Sequence, residues 1–252
     1  MIRKPTILLL CSLCLGFAAC ATINPSKDVE LTWDEAYIRI PGFLPSEILP
    51  NTKYPTVIYM HGGGGLSRAA YRDIDVVLKA GVAVIALNSY ARTRPRNPSE
   101  DLSYTCPQGE CWGTFNRIFA MRTAELTYAL EKVRQVPWVD QNNVFAWGQS
   151  EGGYTIAAYP GAVFKGRIIT GTGCHWGFKA KESVIAVISR DDPYVKRAHS
   201  EFSLPSTCLK VSGNASNLAY VELPGYLHNG AQNSVGERAI IEFLHRHISS
   251  SK

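Results

Sequence analysis

The chain has little that would mark it as a membrane, nucleic-acid or metal protein. Charged residues fill only 19% of its 252 positions, and the formal net charge is +5. That charge falls by two if Arg3 and Lys4 are lost with a leader. It is too small for a nucleic-acid binder, and no basic stripe interleaved with aromatics accompanies it. No apolar run approaches the ~20 residues that a membrane-spanning helix needs. No second close pair of Cys or His sits at ligand spacing, so no resident metal is expected. Internal repeats and low-complexity blocks are absent. Hydrophobic residues make up 46%, ordinary for a globular protein. The length suits one α/β domain with a full core.

What is present begins at the N-terminus. Arg3 and Lys4 form a positive segment, Ile7 to Ala19 is apolar, and Ala18, Ala19, Cys20 and Ala21 are small. This is the pattern of a secretory signal peptide over residues 1–20, and it predicts export. Two cleavage readings fit. Phe17-Ala18-Ala19-Cys20 resembles a bacterial lipobox, which would make Cys20 a lipidated first residue and anchor the protein to a membrane. Cleavage after Ala21 would instead release it, so the place is the periplasm or the outer membrane. With Cys11, Cys14 and Cys20 set aside, Cys106, Cys111, Cys174 and Cys208 remain, an even number in an exported chain. Cys106 and Cys111 flank a short turn, so the expected disulfides are Cys106–Cys111 and Cys174–Cys208.

From Tyr54 onward, β-type apolar runs alternate with helical patterns, which predicts an α/β domain over 21–252 with a mostly parallel sheet and helices on both faces. Strands are expected at Pro55–Met60, Val82–Leu87, Asn143–Trp147, Arg167–Thr170, Ser183–Ile188 and Leu218–Leu223. Helices are expected at Arg68–Ala80, Thr114–Val136, Tyr154–Tyr159 and Asn233–His247. Val29–Ile40 reads as one or two leading strands. Residues 88–113 read as a polar insertion.

Gly148-Gln149-Ser150-Glu151-Gly152 is G-x-S-x-G between a strand and a helix, the context that exposes a serine on a sharp turn. The helix start adds a positive dipole end for developing negative charge. His61-Gly62-Gly63-Gly64-Gly65 follows the first strong strand. Glycines there let backbone N–H groups approach an oxyanion. The expected donors are Glu151 and one of the loop glycines, Gly62, Gly63 or Gly64 foremost, while His61 orders the loop. The glycine run lacks the Lys-Ser/Thr ending of a phosphate loop and the G-x-G-x-x-G spacing of a dinucleotide site, and no cofactor is implied. A nucleophilic serine needs a base, and the base needs an orienting acid. Asp191 and Asp192 follow one strand and His228 follows the next, so both reach the edge of the sheet that carries Ser150. His175 is the other candidate base, and either aspartate can serve as the acid.

These pieces together resemble the α/β-hydrolase superfamily, most closely its dienelactone-hydrolase-like branch. The resemblance rests on HGGGG at 61–65, GQSEGG at 148–153, SRDDPYV at 189–195, PGYLH at 224–228 and the helix bearing Arg122-Thr123-Ala124-Glu125-Leu126. It implies an α/β-hydrolase fold and a triad of Ser150, Asp192 and His228. Dienelactone hydrolase proper carries a cysteine nucleophile, the usual glycine of the acid turn is absent near Ser189, and the insertion is not part of the common core. The expected activity is hydrolysis of an ester or lactone in a small-molecule acyl substrate through an acyl-enzyme. A peptidase of small peptides and a non-catalytic envelope binding lipoprotein are the alternatives. Arg92, Arg94, Arg96, Tyr104 and Trp112 lie on or near the insertion, which reads either as a specificity element meeting an anionic or aromatic substrate or as a solvated loop with no substrate role. No nucleic-acid partner is expected, and contact with a membrane only through Cys20.

Overall fold

The computed structural model describes residues 25–42, 52–92, 111–174, 177–194, 206–213 and 215–249. The expected leader, Cys20, Cys106, His175 and most of the insertion lie outside them. Among the described residues the chain runs α1 (Pro25–Asp34), β1 (Tyr37–Arg39), β2 (Tyr54–Met60), α2 (Arg68–Lys79), β3 (Ala83–Leu87), a short 3-10 turn (Ser89–Ala91), α3 (Cys111–Val133), β4 (Val139–Gln149), α4 (Glu151–Ala158), β5 (Arg167–Thr170), β6 (Val184–Ser189), α5 (Ser206–Val211), β7 (Leu218–Leu223), a second 3-10 turn (Gly230–Gln232) and α6 (Ser234–His247).

The strands form one seven-stranded sheet in the order β1-β3-β2-β4-β5-β6-β7. Only β1 runs antiparallel, against β3. All other pairings are parallel. Successive side chains of a strand point to opposite faces, and the core divides accordingly. Ile58, Met60, Ala146 and Ile169 pack with Leu126, Leu130 and Ile156 of α3 and α4. Their neighbours Val57, Tyr59, Trp147 and Ile168 pack on the other face with Ile74 and Val77 of α2 and Ile240 and Leu244 of α6. The strands at the centre are apolar at nearly every position because both faces are covered. Each fully buried aliphatic side chain contributes about 1.5–3 kcal/mol.

Val29–Ile40 holds one strand, Tyr37–Arg39, but Val29–Asp34 ahead of it belongs to a helix that the sequence reading missed. Tertiary packing decides it. Asp28 and Thr32, one helical turn apart, are both buried, Trp33 packs against the core, and α1 lies along α3. The Thr32 carbonyl accepts the Asn88 N–H at 3.1 Å, so the helix also anchors the end of β3. Boundaries shift as well. α3 runs Cys111–Val133 rather than Thr114–Val136, β4 runs Val139–Gln149 rather than Asn143–Trp147, and α4 begins at Glu151 rather than Tyr154.

Cys174 and Cys208 form a disulfide that joins the segment after β5 to α5 across 34 positions. Closing a loop of that length in the unfolded chain stabilises the fold by about 3–4 kcal/mol in the chain-entropy picture. Cys106, one half of the expected Cys106–Cys111 pair, lies outside the described residues. No described helix is long and apolar enough to cross a membrane.

Candidate active site

The site is built at the carboxyl edge of the sheet, where β2, β4, β5, β6 and β7 end. Ser150 joins β4 directly to α4. Its backbone sits at φ 53°, ψ −115°, a conformation that L side chains rarely adopt and that persists only when the surroundings enforce it. The surroundings here are tight. The Ser150 N–H donates to the Thr170 carbonyl at 2.9 Å, and its own carbonyl accepts the Tyr154 N–H at 3.1 Å. A Cβ on Gly152 would lie 2.1 Å from the Met60 carbonyl oxygen, and one on Gly148 would lie 2.2 Å from the Gly152 carbonyl oxygen. Only hydrogen fits at either position, so the G-x-S-x-G spacing follows from the close approach of β2, β4 and α4.

The glycine loop closes over this turn. A Cβ on Gly62 would stand 2.9 Å from the Ser150 Cβ, so the Gly62 backbone lies directly beside the serine. Gly65 N–H donates to the Gly62 carbonyl at 3.1 Å and makes the loop a turn. The Gly63 carbonyl accepts the Tyr90 hydroxyl at 2.7 Å. Gly64 is exposed, nearest to Ser67. The structure therefore brings Gly62 and Glu151 against Ser150, with Gly63 next in the turn and Gly64 outermost.

A buried polar network supports the loop from beneath. His61 Nδ1 donates to the Gly62 carbonyl at 2.7 Å, and its Nε2 accepts the Ser89 N–H at 3.1 Å. This is the pattern of one neutral tautomer. Burial, then the nearby Arg122 charge, lowers the His61 pKa to about 3. Arg122 donates to the His61 carbonyl at 2.5 Å and pairs with Glu125 at 3.4 Å. Glu125 also takes Arg92 at 2.8 Å and the Ser89 hydroxyl at 2.7 Å. Arg92 is thus buried on α3, donating to the Met121 carbonyl as well. The reading in which it meets the substrate is corrected, because a guanidinium in water would leave the Glu125 carboxylate short of a partner. Arg94, Arg96 and Tyr104 lie outside the described residues, and Trp112 falls in the first turn of α3. None of Arg122, Glu125 and Ser89 was picked out from the sequence as support for the loop. The signal was available in part: Arg122 and Glu125 interrupt the apolar stripe of α3 between Ile118 and Leu126.

His228 and Asp192 meet. The imidazole Nδ1 is 2.7 Å from Asp192 Oδ2, and Asp192 is fully buried. Its other oxygen accepts the Tyr194 N–H at 2.9 Å. Asp191, the alternative acid, instead sends its N–H to the Gly225 carbonyl at 3.1 Å. The Nδ1 contact leaves Nε2 for a second partner. The His228 ring stands against Gly171, with Nδ1 and Cε1 each 3.3 Å from where a Cβ would be. Gly171 directly follows Thr170, whose carbonyl holds the Ser150 N–H. The backbone of Ser150 and the His228–Asp192 pair are therefore both set at the end of β5. His245 and His247 lie on α6, bonded to the carbonyls of Ala80 and Phe243.

On the far side of the sheet from α3, Asp73 is buried against Tyr59, whose hydroxyl donates at 2.8 Å. Burial raises its pKa to about 7, with hydrogen bonds from Tyr59 and Asn229 pulling the other way. Asn229, next to His228, also donates to the Ala69 carbonyl at 3.1 Å. This pair ties the histidine loop to α2.

Among solved structures the chain is similar to Est1E from Butyrivibrio proteoclasticus with ferulic acid bound, at TM-score 0.61 and 15% identity over 84% of this chain and 94% of that one. It is similar as well to P91, a dienelactone hydrolase-like promiscuous phosphotriesterase from metagenomic libraries, at TM-score 0.57 and 15% identity over 79% and 89%. Esterase PE8 aligns at TM-score 0.55 and 13% identity over 84% and 98%. No family model matches the chain, and no curated protein matches it in sequence. The chain has the α/β-hydrolase fold, like these dienelactone hydrolase-like and esterase structures.

Proposed function

We propose that the protein is a serine hydrolase of carboxylic esters or lactones, with Ser150 as nucleophile, His228 as base and Asp192 as the group that orients it. The observation that carries this reading is the Asp192–His228 hydrogen bond of 2.7 Å, set against the residue that follows the carbonyl holding Ser150. The esterase and dienelactone hydrolase-like names of the structural neighbours support it. His228 Nε2 takes the Ser150 proton as Oγ attacks the acyl carbon. Asp192 keeps the proton of the neutral ring on Nδ1 and stabilises the imidazolium that forms. The backbone N–H groups of Glu151 and of the Gly62–Gly63 turn receive the negative oxygen, and each such donor is worth about 3–4 kcal/mol. His228 then returns the proton to the leaving alcohol, and water repeats the sequence to free the acyl group. The Cys174–Cys208 disulfide supports the reading that the chain works outside the reducing cytosol, either anchored by a lipid at Cys20 or released by cleavage after Ala21.

An alkyl fluorophosphonate tests the assignment. The purified protein is expected to take up one phosphonyl group, mapped by mass spectrometry to the peptide bearing Ser150. Modification elsewhere, or none at all, would contradict it.

A further inference from the structure

Exposed large hydrophobic side chains are few among the described residues, and the two most exposed are Tyr194, beside His228, and Tyr226, two residues before it in the chain. Tyr194 is 59% exposed and Tyr226 is 75% exposed. Tyr194 is set in place by the site itself. The Tyr194 N–H is held by Asp192 Oδ1 at 2.9 Å. Its ring lies 4.5 Å from the His228 ring, tilted by 41°. Tyr226 is two residues before His228, in the turn after β7. Two backbone bonds zip that turn to the acid turn, Arg190 N–H to the Leu223 carbonyl at 2.8 Å and Asp191 N–H to the Gly225 carbonyl at 3.1 Å. The Tyr194 ring therefore borders the imidazole, and Tyr226 stands on the adjoining turn, while the glycine loop borders the serine at Gly62.

This placement decides which part of a substrate they meet. The imidazole that accepts the serine proton returns it to the leaving oxygen, so the leaving alcohol departs beside His228. Tyrosine offers a large apolar face with a polar tip that stays wet, and an aromatic ring gains more against it than an aliphatic one of equal size. Exposed aromatic surface next to a site of chemistry marks where a ligand lies.

We infer that Tyr194 and Tyr226 form a rim that binds an aromatic ring in the alcohol portion of the ester. The inference rests on the proposed hydrolase reading and narrows it to esters of aryl-bearing alcohols.

The test compares benzyl acetate with cyclohexylmethyl acetate, whose leaving alcohols are similar in size and differ in aromaticity, and adds methyl phenylacetate, which carries its ring on the acyl side. The ratio of kcat/KM for benzyl over cyclohexylmethyl acetate is expected to exceed one in the parent. It should fall about two- to tenfold in Tyr226→Leu and in Tyr194→Leu, the range expected of an aromatic contact. Melting curves of both variants report that they fold. Equal loss on both acetates, or a larger loss on methyl phenylacetate, overturns the rim. A parent that takes up no fluorophosphonate and cleaves none of the three esters refutes the hydrolase reading itself. A parent that labels and turns over esters without favouring benzyl acetate refutes the rim alone.

Discussion

His61 keeps its imidazole neutral because both ring nitrogens are already committed and water is excluded. Its pKa of about 3 lies below the ordinary 6.5, so the unfolded chain binds the proton first as the solution is acidified. The stability that His61 contributes is full above pH 6.5 and drains away as pH falls toward 3. Asp73 works in the opposite sense. Its pKa of about 7 lies above the ordinary 3.8, so the folded state holds a proton that the unfolded state has released. Its cost grows as pH rises from about 4 to about 7 and is constant beyond that. Asp73→Asn removes this cost while leaving an oxygen to accept from Tyr59. Urea melts at several pH values are expected to show the variant gaining on the parent steadily between pH 4 and pH 7. A difference that is flat with pH, or that falls, would contradict the buried protonated carboxyl.

Helix α3 connects the chemistry of the loop to the core. Arg122 reaches the His61 carbonyl from a helix that otherwise presents Ile118, Leu126 and Leu130 to the interior. If the glycine turn acts on the oxyanion, weakening its anchor should affect the transition state more than substrate binding. Arg122→Met is expected to lower kcat for a simple ester by about tenfold to a hundredfold with KM little changed, less than the 10²–10³ lost with a direct donor. Arg122→Lys should recover part of it. Unchanged kcat in a variant with a lowered melting temperature would make Arg122 a structural residue only.

The same helices and strands show what the amino-acid pattern reveals. β3 and β6 are legible because AVIAL and VIAVIS are buried on both faces, and nothing but a central strand needs so unbroken an apolar run. The turn at Ser150 is legible because its glycines are forced by contacts with Met60 and with one another. α1 is not, since Val29, Leu31 and Trp33 alternate like a strand and the helix wins only through packing on α3. The start of β4 is hidden in the same way. Asp140 and Asn143 look like loop residues, yet they are buried and bonded to each other at 2.7 Å. Asp192 was distinguishable from Asp191 by resemblance alone. The structure separates them, because it is the Asp192 carboxylate that lies 2.7 Å from His228 Nδ1. The burial of Arg92 was not readable, because its partner Glu125 is 33 positions away.

Taken as one molecule, the chain places a strained serine, a glycine turn and an acid–histidine pair on loops at one edge of a rigid seven-stranded sheet. The loops are tied to one another by backbone bonds at Thr170, Gly225 and Leu223, and to the helices by Arg122 and Asn229. Such pre-organisation suits a reaction whose transition state develops charge between fixed groups. The turnover of a simple ester, such as ethyl acetate, by Ser150→Ala and by His228→Ala tests the proposed triad most directly, each compared with the parent under conditions where circular dichroism shows all three folded. Residues that act as one unit lose nearly everything when any is removed, so both variants are expected to fall by about 10⁴-fold or more and to about the same residual rate. Turnover by folded Ser150→Ala near the parent's rate would contradict it.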